Sequence, residues 1–189
     1  MSLEYILLGM LDRPASGYDL KNEFEEGTRY FWAAELSQIY PTLNRLEERG
    51  WLSSRTEASA RGPERRVYKR TARGEKELFQ WIRSGPAMGT ERFAYIGQLI
   101  YMSQLKDLDA THEFLTRLRA DLAARAQFLR SVHKSVQAIP GFPDSLDGAD
   151  FHNYMALHIG VETTEARLRA CDACLKMVQR RLRKEVSHV

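Results

Sequence analysis

The sequence predicts a mainly α protein in two parts. Residues 1–83 read as three helices, a two-stranded hairpin and a fourth helix. A hinge follows at 84–92, and residues 93–189 read as an all-α antiparallel domain. Three observations predict this. Apolar residues recur at steps of three and four along most of the chain, the period of a helix buried on one side. That period breaks once, between Trp51 and Arg70, where two short runs flank a Gly62-Pro63 turn. Positive charge gathers at the same break. Residues 49–73 hold 8 basic side chains against 2 acidic ones, whereas residues 1–48 hold 4 against 9.

In chain order, the first helix carries Leu3, Ile6, Leu7 and Met10 at helical spacing, and Pro14 marks a turn after it. Ser16-Gly17-Tyr18-Asp19 fits a capping box that opens the second helix, with Leu20 and Phe24 inward and Gly27 as its stop. Tyr30-Phe31-Trp32 is an aromatic connection expected to plug the core. The third helix spans 36–49, with Ser37 as its cap and Pro41 in its first turn, where a missing N–H costs little. Leu36, Ile39, Leu43 and Leu46 form its apolar stripe, and Gln38, Pro41, Thr42, Arg45 and Arg49 fall on another face. Gly50 takes the position just past the helix end that favours glycine. Residues 51–57 and 65–70 are the two strands. Thr71 caps the fourth helix, which turns Leu78, Phe79 and Ile82 inward.

Composition excludes several classes. With 43% hydrophobic and 28% charged residues, the chain has the apolar content for a buried core and is not of the disordered kind. No apolar run approaches the roughly 20 residues of a membrane span. The apolar stretch 1–11 lacks a basic leader and a small-residue cleavage site, so it is not read as a signal peptide. Two cysteines do not make a disulfide scaffold. A cytoplasmic protein without membrane association is expected. The formal net charge of +3 says little; its distribution says more. Seven of the eight cations in 49–73 are arginines, which grip phosphate with a two-pronged fork.

Three helices followed by a basic hairpin is the order of a winged helix-turn-helix with a two-stranded wing. A third helix of this length fits the major groove of DNA, and the hairpin reaches the backbone or the adjoining minor groove. The residues also resemble a family, the PadR-like transcriptional regulators. The resemblance is carried by Leu3-Glu4-Tyr5-Ile6-Leu7-Leu8-Gly9, Ser16-Gly17-Tyr18-Asp19-Leu20, Phe31-Trp32, Ser37-Gln38-Ile39-Tyr40-Pro41-Thr42-Leu43, Arg45-Leu46-Glu47, Gly50, and Gly62-Pro63-Glu64-Arg65-Arg66-Val67-Tyr68 with Thr71 and Gly74. It covers about residues 3–82. The Phe-Trp pair and the long helical tail are similar to the subgroup that includes virulence activators of the AphA type. The resemblance implies a dimeric DNA-binding regulator, most often a repressor, with a helical dimerisation domain and room for a small-molecule effector. One position departs from it: Arg70 stands where the family usually has an aliphatic residue, and a further cation on the DNA face is expected there.

The expected DNA contacts are Tyr18, Ser37, Gln38, Tyr40, Thr42 and Arg45 from the helices, and Arg61, Gly62, Arg65, Arg66 and Lys69 from the wing. In the second half, residues 93–105 and 107–139 read as helices, and a last one begins near Asp150. Leu157, Val161, Leu168, Leu175, Val178 and Leu182 lie on a seam with alternating steps of three and four. Such narrow seams are buried either against a second copy or against each other as a hairpin. The six residues are assigned here to a homodimer interface, because a two-fold dimer reads two half-sites of a palindromic operator. Cys171 and Cys174 form a C-x-x-C pair read as core packing, and the five histidines are scattered. No nucleophile elbow, phosphate loop or HExxH is present, so neither an enzyme, a cofactor nor a metal is expected. Two other readings stay open: a winged-helix protein-interaction module, and a transcriptional activator without an effector.

Overall fold

The computed structural model describes residues 2–26, 36–58, 64–89 and 93–186. Gly27, Tyr30-Phe31-Trp32 and the hairpin tip with Arg61 and Gly62 lie outside the described residues. The chain divides into two compact units, Met1–Thr90 and Glu91–Val189.

The first unit holds α1 (Ser2–Met10), β1 (Ala15–Ser16), α2 (Gly17–Glu26), α3 (Leu36–Glu48), β2 (Leu52–Glu57), β3 (Arg65–Arg70) and α4 (Ala72–Arg83). Its core gathers Leu7 and Leu8 of α1 with Leu11 just past its end, Leu20 and Phe24 of α2, and Ile39, Leu43 and Leu46 of α3. Leu52, Tyr68 and Leu78 come from the sheet and α4. The expected Ser16 box is formed: the Asp19 carboxylate accepts from the Ser16 N–H at 2.9 Å, and the Asp19 N–H donates back to the Ser16 hydroxyl at 3.2 Å. Gly50 adopts φ +71°, a left-handed conformation that costs glycine little. Its N–H donates to the Glu47 carbonyl and the Trp51 N–H to that of Leu46, which closes α3. The Thr71 hydroxyl accepts from the Gly74 N–H at 3.1 Å at the start of α4.

One element is added to the expected two-stranded wing here, and three sequence expectations are corrected. The sheet has three antiparallel strands in the order β1-β3-β2, with Ala15 opposite Tyr68 and Leu52 opposite Arg70. A two-residue strand shows no periodicity; β1 exists because β3 offers it a backbone edge. First, α3 starts at Leu36, whose partly buried side chain opens the apolar stripe, so Ser37 sits inside the first turn instead of capping it. Pro41 therefore falls in the second turn and gives up a helical hydrogen bond. Second, Phe79 and Ile82 of α4 are exposed, because Leu78 and Trp81 take the inner face. The Trp81 ring stacks on Tyr5 at 5.0 Å, and Tyr5 in turn meets Trp51. Third, Arg70 is not on an outer face. Its guanidinium donates to the Leu8 carbonyl at 2.8 Å and pairs with Glu75 at 3.5 Å, so it braces the end of α1.

The second unit holds α5 (Ala94–Tyr101), a short 3-10 turn (Met102–Leu105), α6 (Leu108–Gln137) and α7 (Gly148–Val186). Asp107 caps α6 by accepting from the Ala110 N–H at 2.9 Å. Helices α6 and α7 run antiparallel, as their cross-links show: Arg119 with Asp172, Arg130 with Glu165 at 3.1 Å, and Gln137 with the Tyr154 hydroxyl at 3.2 Å. This settles the seam. Leu175 is buried with Leu115 and Cys171, and Val178 packs beside them. Leu157 and Val161 are also buried within the single chain, while Leu168 and Leu182 are partly so. The expectation that Leu157, Val161 and Leu175 face a second copy is thus corrected: the helix that covers them, α6, lies in the same chain. Helix α7 instead leaves Phe151, Met155 and Ile159 exposed at steps of four.

Candidate nucleic-acid interface

Helix α3 is firmly seated and outwardly polar. Ile39, Leu43 and Leu46 are completely buried. Ser37, Gln38, Pro41, Asn44 and Arg45 are exposed on the opposite side, with Tyr40 on one flank. Asn44 was missed by the sequence reasoning. Its signal was available, since it lies seven residues from Ser37 and three from Pro41 and so shares their face. Its amide has the donor and acceptor geometry that reads adenine in the major groove.

Thr42, expected to contact DNA, is buried. Its hydroxyl donates to the Gln38 carbonyl at 2.7 Å and accepts from the Arg45 guanidinium at 2.9 Å. It anchors Arg45 and does not reach outward. Behind it lies Glu4 of α1, only 4% exposed. The Glu4 carboxylate faces the Arg45 Nε at 3.7 Å and the Arg49 guanidinium at 3.1 Å. Arg49 also lies over the Trp51 ring at 5.2 Å.

Tyr40 is held by backbone shape. A Cβ at Gly17 would fall 2.5 Å from the Tyr40 ring, so only glycine lets the start of α2 approach α3 so closely. Tyr18, the next residue, is 59% exposed on α2. The Tyr68 ring beneath is buried, which pushes its hydroxyl's pKa up.

The wing has two faces, because side chains alternate along a strand. One face carries Ser54, Arg66 and Tyr68; the other carries Ser53, Arg55, Glu57, Arg65 and Lys69. On the first, Arg66 pairs with Glu47 of α3 and donates to the Ser54 hydroxyl at 2.8 Å. Ser54 in turn donates to Glu47 at 2.6 Å. This triad ties the wing to α3. On the second face, Arg65 lies 3.5 Å from Glu57 and 3.7 Å from Asp19, while Lys69, Ser53 and Arg55 line a shallow pocket with Pro14. The structure therefore brings Arg66 to α3 and turns Arg65 and Lys69 the other way. The Asp19 carboxyl is held below its usual pKa, first by the Ser16 N–H and hydroxyl and lastly by Arg65, against a smaller opposing effect of burial.

A helix seated on a core, polar outward, flanked by an arginine-bearing hairpin, is the geometry of a DNA reader. Residues 6–80 match the family described as "Transcriptional regulator PadR-like family". The winged-helix unit is thus similar to the PadR-like transcriptional regulators. The likeness extends beyond it. The negative transcriptional regulator PadR of Bacillus subtilis is 29% identical over 180 residues, covering 94% of this chain and 98% of that protein. The crystal structure of B. subtilis PadR in complex with operator DNA superposes with a TM-score of 0.73 at 27% identity, covering 94% and 99% of the two chains. The same protein solved with p-coumaric acid gives 0.65 at 26%, covering 94% and 95%. The Vibrio cholerae virulence activator AphA shares the fold, with a TM-score of 0.69 at 22% identity over 94% and 98% of the chains.

The remaining candidate side chains belong to the second unit. Cys171 is buried, its thiol pKa is raised by that burial, and it donates to the Leu115 carbonyl at 3.4 Å. His133 and His158, scattered in sequence, meet at 3.2 Å between α6 and α7. Among the described residues no group of three or more His, Cys, Asp or Glu side chains could hold a metal ion. No described helix is long and apolar enough to cross a membrane.

Proposed function

We propose that this chain is a sequence-specific, DNA-binding transcriptional repressor that acts as a homodimer on a palindromic operator and responds to a small molecule. The observation that carries it is the outward face of α3: Ser37, Gln38, Asn44 and Arg45 are exposed while Ile39, Leu43 and Leu46 fix the helix to the core. Arg66 stands beside that face, and Arg61 and Gly62, which lie between the two wing strands in sequence, are assigned to the DNA backbone with it. Tyr18 and Tyr40 flank it with hydroxyls suited to phosphate. Arg65 and Lys69 serve phosphates further along the backbone from the wing's second face.

The likeness to B. subtilis PadR, bound in one structure to operator DNA and in another to p-coumaric acid, supports both the DNA partner and an effector of the small aromatic acid kind. The exposed stripe Phe151, Met155 and Ile159 supports a second copy as partner, since apolar side chains at steps of four make a helix-packing face. No enzymatic step is part of this reading, and the working place is the cytoplasm, where the operator is.

The test is a binding titration with the promoter fragment of the chain's own gene. Affinity should fall steeply between about 50 and 200 mM salt, as release of counterions requires. Salt-independent binding, or equal affinity for a scrambled fragment at every salt, refutes it. Release of the fragment by small aromatic acids tests the effector.

A further inference from the structure

The recognition helix does not hold its cations loosely. Glu4 is the one acidic residue of α1, and it sits in the interior between that helix and α3. Carboxylates are seldom so buried unless they are paired. Here one carboxylate faces two guanidiniums. Oε2 is within 3.1 Å of Arg49, while Oε1 has Arg45 at 3.7 Å and no hydrogen-bond partner. The Arg45 guanidinium is also pinned by the Thr42 hydroxyl at 2.9 Å. Glu4 thus lies against both arginines from the interior side, Arg45 in the C-terminal half of α3 and Arg49 just past its end. It leaves a buried oxygen incompletely satisfied, which an apolar residue at the same place would not.

We infer that Glu4 is a positioning residue for sequence discrimination: its carboxylate holds Arg45 and Arg49 back from phosphate, so that sequence-independent binding is suppressed and Arg45 is presented to a base edge. This rests on the DNA-binding reading above. The physical reason is a competition between anions. Phosphate contacts supply most non-specific affinity and carry no sequence information. A guanidinium already facing a buried carboxylate gains less from a phosphate than a free one does. A base contact needs direction as well as charge, and the Thr42 hydroxyl supplies the direction.

The experiment uses the full chain carrying Glu4→Gln, which keeps the side chain's shape and removes its charge. Binding is measured on the operator fragment and on a scrambled fragment of equal length and composition, from about 50 to 300 mM salt. Each freed arginine that reaches a phosphate adds about 0.9 to the salt slope. The slope on scrambled DNA should therefore steepen by about one unit or more, and the preference for operator should fall about fivefold or more. Glu4→Asp, which keeps the charge, should return the slope toward that of the native chain. A parallel loss on both fragments with an unchanged slope and a lower melting temperature would mean that Glu4 only packs, and overturns the inference. If Glu4→Gln does not fold, Arg49→Gln decides. An arginine held by Glu4 contributes nothing to the scrambled-DNA slope, so that slope should stay within about half a unit of native; a fall of about one unit per protomer overturns the inference. Failure of the DNA-binding reading looks different, because the native chain would then prefer neither fragment.

Discussion

Removing Arg65 separates positioning contacts from reading contacts. Its side chain is 53% exposed and meets Asp19 at 3.7 Å and Glu57 at 3.5 Å. Exposed pairs of this kind contribute about 0–1 kcal/mol, so Arg65→Ala should fold with nearly native stability. In the proposed dimer the substitution removes two cations, one from each wing. If both contact phosphate, the salt slope falls by about 1.8. Between about 50 and 200 mM, a fourfold change, that difference amounts to about a tenfold change in relative affinity. Native and variant chains should therefore differ about tenfold more at low salt than at high. The loss should be the same on operator and scrambled DNA, because a phosphate contact does not read sequence. Arg45→Ala should do the opposite and blur preference at one base position, at about 1–3 kcal/mol. Fluorescence anisotropy on both fragments across the salt range is the assay. If Arg65→Ala leaves the slope unchanged, or lowers operator binding alone, the division of labour between wing and α3 is refuted.

Other substitutions test the frame that holds the site. Leu43 is completely buried, so Leu43→Ala should cost about 2–5 kcal/mol in urea unfolding and weaken DNA binding with it; a loss below about 1 kcal/mol would mean α3 is not seated as described. Gly17→Ala puts a methyl 2.5 Å from the Tyr40 ring and should cost about 1–3 kcal/mol, whereas an unchanged melting temperature would show that the ring swings aside freely. Asp19 is held below its unfolded pKa, so its contribution to stability is present above about pH 4 and is lost as the pH falls through the lowered folded value. The melting-temperature gap between native and Asp19→Asn chains should accordingly close on acidification, and a gap that widens contradicts the Ser16 box. Buried Cys171, with its raised pKa, should resist alkylation while partly exposed Cys174 reacts, giving one adduct per chain by intact mass; two adducts at equal rates would contradict that burial.

Much of the site was legible in the sequence because its signals are local. The apolar stripe of Ile39, Leu43 and Leu46 fixes which side of α3 points out. The Ser16–Asp19 box, the left-handed Gly50 and the Thr71 cap are satisfied within a few residues, so their chemistry shows in the order of residue types. Thr42 and Arg70 were misread for a common reason. A helical wheel gives an angle, not a depth, and both residues are drawn in by partners far away in sequence or by a neighbour's guanidinium.

The sequence by itself determined the order of the helices and of the two wing strands, the position of the wing, its cluster of arginines and the two-part division, since periodicity, turn residues and charge are properties of short windows; it did not show β1. Tertiary structure alone decided which carboxylates meet those arginines. Glu4 is 45 residues from Arg49, and Glu47 is 19 from Arg66. It also decided that the seam of α7 is covered by α6 of the same chain, leaving Phe151, Met155 and Ile159 outside. A seam's spacing states that it must be buried; which surface buries it depends on how the chain turns back on itself, and no window of the sequence contains that.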